Sequence, residues 1–181
     1  LDSTGVHSNG LTLARRVLLG KTPEEQKANI NKHEPDFACS LGEELLKPTR
    51  IYVREIMEML DAGIDLKAMT HITSGCFGNL NRVENNNIRF VINQLPDCPA
   101  VFNLIQKRGK VSDAEMFEVF NMGIGFCLTV ENSRDASAAQ DICKKHGIKS
   151  QVIGHVEACE GKEVLVTAKN LVAREQTFYP A

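Results

Sequence analysis

The stretch from Ser112 to Gly147 constrains the chain more than any other, because it carries helix, strand and helix signals in one short run. Ser112-Asp113-Ala114-Glu115 reads as a capping box, in which the serine side chain would take a backbone N–H and the glutamate would reach back to the cap. It opens a helix through Met116, Phe117, Val119 and Phe120. Gly125 to Val130 then reads as a short apolar strand. Ser133 to His146 reads as a second helix, with Lys144, Lys145 and His146 in its last turn and Gly147 behind it. Such a chain belongs with the mixed α/β (α+β) folds, where strands bury themselves against helices.

The flanks extend the same alternation. Asn9-Gly10 precedes Leu11, Ala14, Val17 and Leu18, an apolar stripe at helical spacing for which Asn9 is the expected N-cap. Lys21 to Ser40 is polar, holds Pro23 and Pro35, and is expected to be a long loop. Pro48-Thr49-Arg50 suits the first turn of a helix whose stripe of Ile51, Tyr52, Val53, Ile56, Met57 and Leu60 faces a core and which Gly63 ends. Ile88 to Ile92 reads as a strand. Gln151 to Val156 and Glu163 to Ala168 are expected to pair with each other around Cys159-Glu160-Gly161. No repeat or internal linker interrupts the chain, so a single domain is expected.

Composition narrows the function classes. The chain has 181 residues, enough to build a core without disulfides or structural metal. Lys and Arg total 21 against 23 for Asp and Glu, a net charge of -2, so no broad basic field exists for nucleic acid. No apolar run has the length of a membrane span and no secretory signal opens the chain, so neither nucleic acid nor membrane is an expected partner. The six cysteines are scattered without a C-x-x-C pair, which suits reduced thiols in a cytoplasmic protein and gives no metal site. The start at Leu1-Asp2-Ser3 suggests a piece of a longer protein.

Three segments spend small and polar residues beyond the needs of packing. Gly5-Val6-His7-Ser8-Asn9-Gly10 stands before a helix, where free N–H groups and the Ser8 and Asn9 side chains suit an anion; simple capping, with Gly10 relaxing the turn, is the plainer reading of the local pattern. His71-Ile72-Thr73-Ser74-Gly75-Cys76-Phe77-Gly78-Asn79, with Arg82 beyond it, offers hydrogen-bond donors and a guanidinium for a phosphate. It lacks the Gly-Lys-Ser/Thr ending of a P-loop, and an irregular turn is its plain alternative. Phe120-Asn121-Met122-Gly123-Ile124-Gly125 reads, on its own, as a helix-to-strand turn.

Taken in order, these segments together with Pro48-Thr49-Arg50-Ile51-Tyr52-Val53 and Arg82-Val83 resemble the C-terminal domain of the phosphoribosylformylglycinamidine cyclo-ligase (aminoimidazole ribonucleotide synthetase) family, from about Ser3 to Val166. The resemblance implies a three-layer α/β/α domain with partly ferredoxin-like topology. It implies that this is the single C-terminal domain of a two-domain cytoplasmic enzyme of purine biosynthesis. A separate N-terminal domain would supply most of the ATP and Mg2+ site and the contacts of a homodimer. His7, Ser8, Asn9 and Gly10 would face a nucleotide or small-molecule substrate phosphate, Thr49 and Arg50 would lie beside them, and Thr73, Gly75, Asn79 and Arg82 would complete the binding set, with His71 as the catalytic candidate. The family pattern departs at Ser74 and Cys76, which stand where glycines are usual, and at Asn81, which replaces a proline; the stretch is also one residue shorter. Cβ atoms at these positions limit close approach of a phosphate to the backbone. A divergent superfamily member, either another ATP-dependent amide- or phosphate-activating enzyme or a non-catalytic binding domain, is the alternative.

Overall fold

The computed structural model describes residues 1–181. The helices and strands run α1 (Leu11–Leu18), α2 (Pro23–Asn29), α3 (Leu41–Leu45), α4 (Val53–Asp61), β1 (Leu66–His71), β2 (Ile88–Ile92), α5 (Ala100–Gly109), α6 (Asp113–Val119), β3 (Phe126–Val130), α7 (Ser133–Lys145), β4 (Gly154–Ala158), β5 (Lys162–Val166), β6 (Leu171–Arg174) and β7 (Thr177–Pro180). A 3-10 turn at Cys76–Arg82 links β1 to β2. The mixed α/β class expected from the sequence is the one observed. Strands β1 and β3 form an antiparallel pair, and the other five form a sheet in the order β4-β2-β5-β6-β7.

That order corrects the expected β4–β5 pair. Ile88 at the start of β2 lies opposite Ala158 of β4 on one side and Lys162 of β5 on the other. The Cys159-Glu160-Gly161 segment therefore crosses the head of β2, held there by the Cys159 N–H on the Asn87 carbonyl at 3.2 Å. Phe90, Val91 and Ile92 are all buried, and an interior place, second from the edge, supplies partners for both backbone edges of such a strand, whereas the exposed β4 tolerates the rim. On the outer face Arg89 meets Glu163 at 2.7 Å and Glu157 at 3.2 Å, pinning the register across three strands.

Three further expectations need correction. Lys21 to Ser40 contains α2, which buries nothing and stands on a full capping box, Thr22 with Glu25. Residue Asn9 does not cap α1; Gly10 holds that position at φ 70 with no side-chain cap. Helix α4 begins at Val53 rather than at Pro48, and its stripe does not face the core as a whole. Tyr52, Glu55 and Met59 point inward, whereas Ile51 and Val53 are 78% and 63% exposed, with Met57 and Leu60 also outside. The apolar set thus spans two neighbouring faces, and only the one at Tyr52, Ile56 and Met59 meets α7.

The core has three parts. One lies under the five-stranded sheet, one among α1, α3 and α5, and one between α4, α7 and the β1–β3 pair. Helix α6 joins the first two, sending Phe117 to the sheet and Met116 to the helices, where Phe120 follows it. Gly10 abuts the Phe120 ring so closely that a Cβ has no room. Gly10→Ala is expected to cost about 2–4 kcal/mol, from overpacking plus a left-handed backbone, measured by urea denaturation.

Candidate functional site

The N-terminal loop is built on a buried asparagine. Asn121 donates from Nδ2 to the Gly5 carbonyl at 2.8 Å, and its Oδ1 accepts from the Ser3 hydroxyl and the Gly123 N–H, each at 2.9 Å. Held so, the loop lies along the segment before α4. The Thr4 hydroxyl donates to the Pro48 carbonyl at 2.6 Å, and the Ser8 and Thr49 hydroxyls meet at 3.1 Å. Between them stands His7, at φ 54 and buried, whose Nε2 accepts from the N–H of Thr4 at 3.1 Å and of Arg50 at 3.4 Å. An imidazole nitrogen that accepts carries no hydrogen, so the ring proton sits on Nδ1.

Both segments then enter helices whose first turns lack a side-chain cap, α1 behind Gly10 and α4 behind Tyr52. By contrast α2, α3, α6 and α7 are capped by Thr22, Ser40, Ser112 and Asn132; α5, behind Pro99, has none. The segments leading into these two uncapped helices are joined through Ser8 and Thr49, and each helix start keeps free backbone donors and a positive end. Arg50 adds a guanidinium there, 3.5 Å from Asp2. Asn9 lies half-buried beside Ser8.

His71 reaches the same place from the other side. It closes β1, and the next residue, Ile72, donates its N–H to the Gly125 carbonyl at 2.9 Å. The Tyr52 ring stands edge-on to His71 at 6.1 Å, and Phe126 stacks on His71 at 5.9 Å. Gly125 lies between Tyr52 and His7 with no space for a Cβ. The Tyr52 hydroxyl donates to the Asp2 carbonyl at 2.7 Å, and burial pushes its pKa up, so it remains a donor. Burial, then His71 and Arg50, hold the His7 pKa down at about 4. Four buried polar atoms here have no partner: Asp2 Oδ1, His7 Nδ1, Arg50 Nε and Glu55 Oε1.

The stretch after His71 is bonded within itself and to α6. The N–H and hydroxyl of Thr73 both donate to Asn79 Oδ1, at 2.8 and 2.9 Å, and Asn79 Nδ2 donates to the Ser74 carbonyl at 2.9 Å. Gly75 gives its N–H to the Glu118 carbonyl at 2.6 Å, Cys76 to Thr73 at 3.0 Å, and Gly78 to Gly75 at 2.7 Å. Cys76 turns its thiol into the core, where burial raises its pKa. Arg82 is exposed, with no ion pair.

The structure thus brings His7, Ser8, Thr49, Arg50 and His71 together, with Asn9 and Gly10 beside them. Thr73, Gly75 and Asn79 form an adjoining loop that bonds to itself, and Arg82 lies at the far end of the 3-10 turn. Tyr52, Asn121 and Gly125 were not singled out as site residues by the sequence; the signal for the last two was the Asn-Met-Gly-Ile-Gly turn. A separate cleft of about 1870 Å³ is lined by β2, β3, β4 and α7, and none of the expected site residues borders it.

Residues 1–167 match the family described as AIR synthase related protein, C-terminal domain. Among curated relatives, the phosphoribosylformylglycinamidine cyclo-ligase of Methanocaldococcus jannaschii is 44% identical over 157 residues, covering 86% of this chain and 43% of that protein. The same-named protein of Methanothermobacter thermautotrophicus is 39% identical over 173 residues, covering 91% and 48%. That of Thermodesulfovibrio yellowstonii is 40% identical over 169 residues, covering 92% and 47%. The chain spans a little under half the length of these relatives.

The buried His7 sets a pH dependence. Its folded pKa lies below the unfolded value, so the unfolded chain binds the extra proton as pH falls. Stability is full above the unfolded pKa, near 6.5, and declines toward pH 4 by up to about 1.4 kcal/mol per pH unit from this group. Denaturant melts from pH 7 to 4 on the parent and on His7→Gln measure it; the variant is expected to lose that part of the slope.

Proposed function

We propose, from the premise that this chain belongs to the AIR synthase related protein family through its C-terminal domain, that it is the C-terminal half of an ATP-dependent cyclo-ligase. That enzyme converts formylglycinamidine ribonucleotide to aminoimidazole ribonucleotide. The observation that carries the proposal is the Ser8–Thr49 contact, which joins the segments leading into two uncapped helices, beside Arg50. Such a place takes a phosphate through backbone N–H groups, two hydroxyls and a guanidinium.

In the proposed reaction ATP phosphorylates the formyl-amide oxygen, an amidine nitrogen attacks the same carbon, and phosphate leaves as the ring closes. Phosphoryl transfer of this kind depends mainly on positioning and charge stabilisation. This chain's part is to hold a nucleotide phosphate at Ser8, Thr49 and Arg50 and to present His71, fixed between Tyr52 and Phe126, for proton transfer. No group of three or more His, Cys, Asp or Glu side chains converges in this chain. ATP and Mg2+ are assigned to the N-terminal domain of the full-length protein. The exposed apolar row of Ile51, Val53, Met57 and Leu60 supports a packed partner, either that domain or a second subunit of a homodimer. A cytoplasmic setting fits six free thiols; no helix is long and apolar enough to cross a membrane.

The self-bonded loop at Thr73–Asn79 favours a second reading, a divergent relative acting on another amide or phosphate acceptor. Turnover of formylglycinamidine ribonucleotide with ATP by the full-length protein supports the first reading, and its absence gives the second. On the same protein Ser8→Ala tests the phosphate site. Ser8 caps no helix, so stability should change by less than about 0.5 kcal/mol while ligand affinity falls by about 1.5–3 kcal/mol. Calorimetric titration and thermal melting of one sample decide it; a lowered melting temperature with intact affinity refutes the site.

A further inference from the structure

The C-terminal hairpin of β6 and β7 lies beyond the stretch matched to the family, which ends at residue 167. Its tip nevertheless rests on the loop that follows His71. Arg174 pairs with Thr177, leaving Glu175 and Gln176 as the tip, with Glu175 at φ 58. Asn81 Nδ2 donates to the Glu175 carbonyl at 3.0 Å and to the Ala173 carbonyl at 3.3 Å. A Cβ on Gly78 would stand 2.9 Å from the Gln176 Cα, so loop and tip meet backbone to backbone. Glu118 ties both from beneath: its carbonyl takes the Gly75 N–H at 2.6 Å and its carboxylate takes the Phe178 N–H at 3.0 Å. Phe178 packs on Phe117, and Phe117 on Phe77, each with ring centroids 5.9 Å apart.

We propose that Asn81 is a positioning residue, which seats the β6–β7 hairpin on the Thr73–Asn79 loop and so holds Thr73 where the nucleotide ligand is received. The inference rests on the functional reading above. Two facts make the loop need such support. Cys76, where the family pattern has glycine, sits at φ 40, a conformation that persists only when its surroundings enforce it. Asn81 stands where that pattern has proline, which stiffens a backbone through its own ring. Here the stiffness comes instead from two side-chain hydrogen bonds to a neighbouring hairpin. The backbone contact at Gly78 then transmits the tip's position to the whole turn.

The test uses the full-length protein carrying Asn81→Asp, the same size but with no N–H to give. Amide hydrogen exchange at Thr73 and Gly75 is expected to quicken roughly tenfold while exchange in α1 and α4 is unchanged. KM for formylglycinamidine ribonucleotide should rise roughly five- to tenfold, with kcat within about twofold. Should this variant not fold, Asn81→Ser is measured in the same way. A fall in melting temperature with loop exchange and KM unchanged overturns the proposal. The functional reading fails separately: if Arg50→Ala leaves ligand binding intact, the phosphate site is wrong, and the exchange rates at Thr73 and Gly75 still decide whether Asn81 seats the hairpin.

Discussion

One fully buried amide, that of Asn121, holds the candidate site together. It satisfies Ser3, Gly5 and Gly123 at once, and so joins the N-terminal loop to the turn between α6 and β3. A typical hydrogen bond adds only about 0.5–1.5 kcal/mol net, but each buried group left without its partner costs about 1–3 kcal/mol. The amide therefore acts less as glue than as a constraint: any other placement of the loop strands several polar groups at once. Because α6 feeds both the sheet core and the helical core, the loop inherits its position from the two together.

The electrostatics follow from this placement. A charged histidine at position 7 would oppose Arg50 and the positive ends of α1 and α4. Burial keeps the ring neutral, and as a neutral acceptor it takes the Thr4 and Arg50 N–H groups and locks the two segments side by side. The donors left at the site are then the guanidinium, which also faces Asp2 at 3.5 Å, and backbone dipoles, none of which titrates near neutral pH.

Local signals in the sequence were sufficient where an element makes its own case. Helices α6 and α7 carry their caps, and β2 and β3 are short apolar runs between polar ends. Helix α2 escaped because it has no apolar periodicity; its only mark is the Thr22–Glu25 box. Strand β1 escaped because Lys67, Thr70 and His71 interrupt its apolar residues, and its pattern is inverted at the end, with Met69 exposed and Thr70 buried. The pairing of β2 with β4 and β5 escaped for a different reason, since register between distant strands leaves no trace in periodicity. The site was legible as an order of motifs and as a set of residue types. Its geometry was not, because the Ser8–Thr49 and Tyr52–His71 contacts depend on how three cores stack.

The interior seat of β2 also bears on how the chain acquires its shape. Its two neighbours, β4 and β5, are made long after it, so a chain emerging residue by residue carries Ile88–Ile92 with both edges open until nearly the end of this segment. An apolar strand in that condition is a template for wrong pairings and for aggregation. Production of the folded domain is thus sensitive to how quickly the last strands arrive and to what shelters β2 in the interval. Chaperone supply and growth temperature become determinants of yield for a protein whose finished core has no evident weakness there.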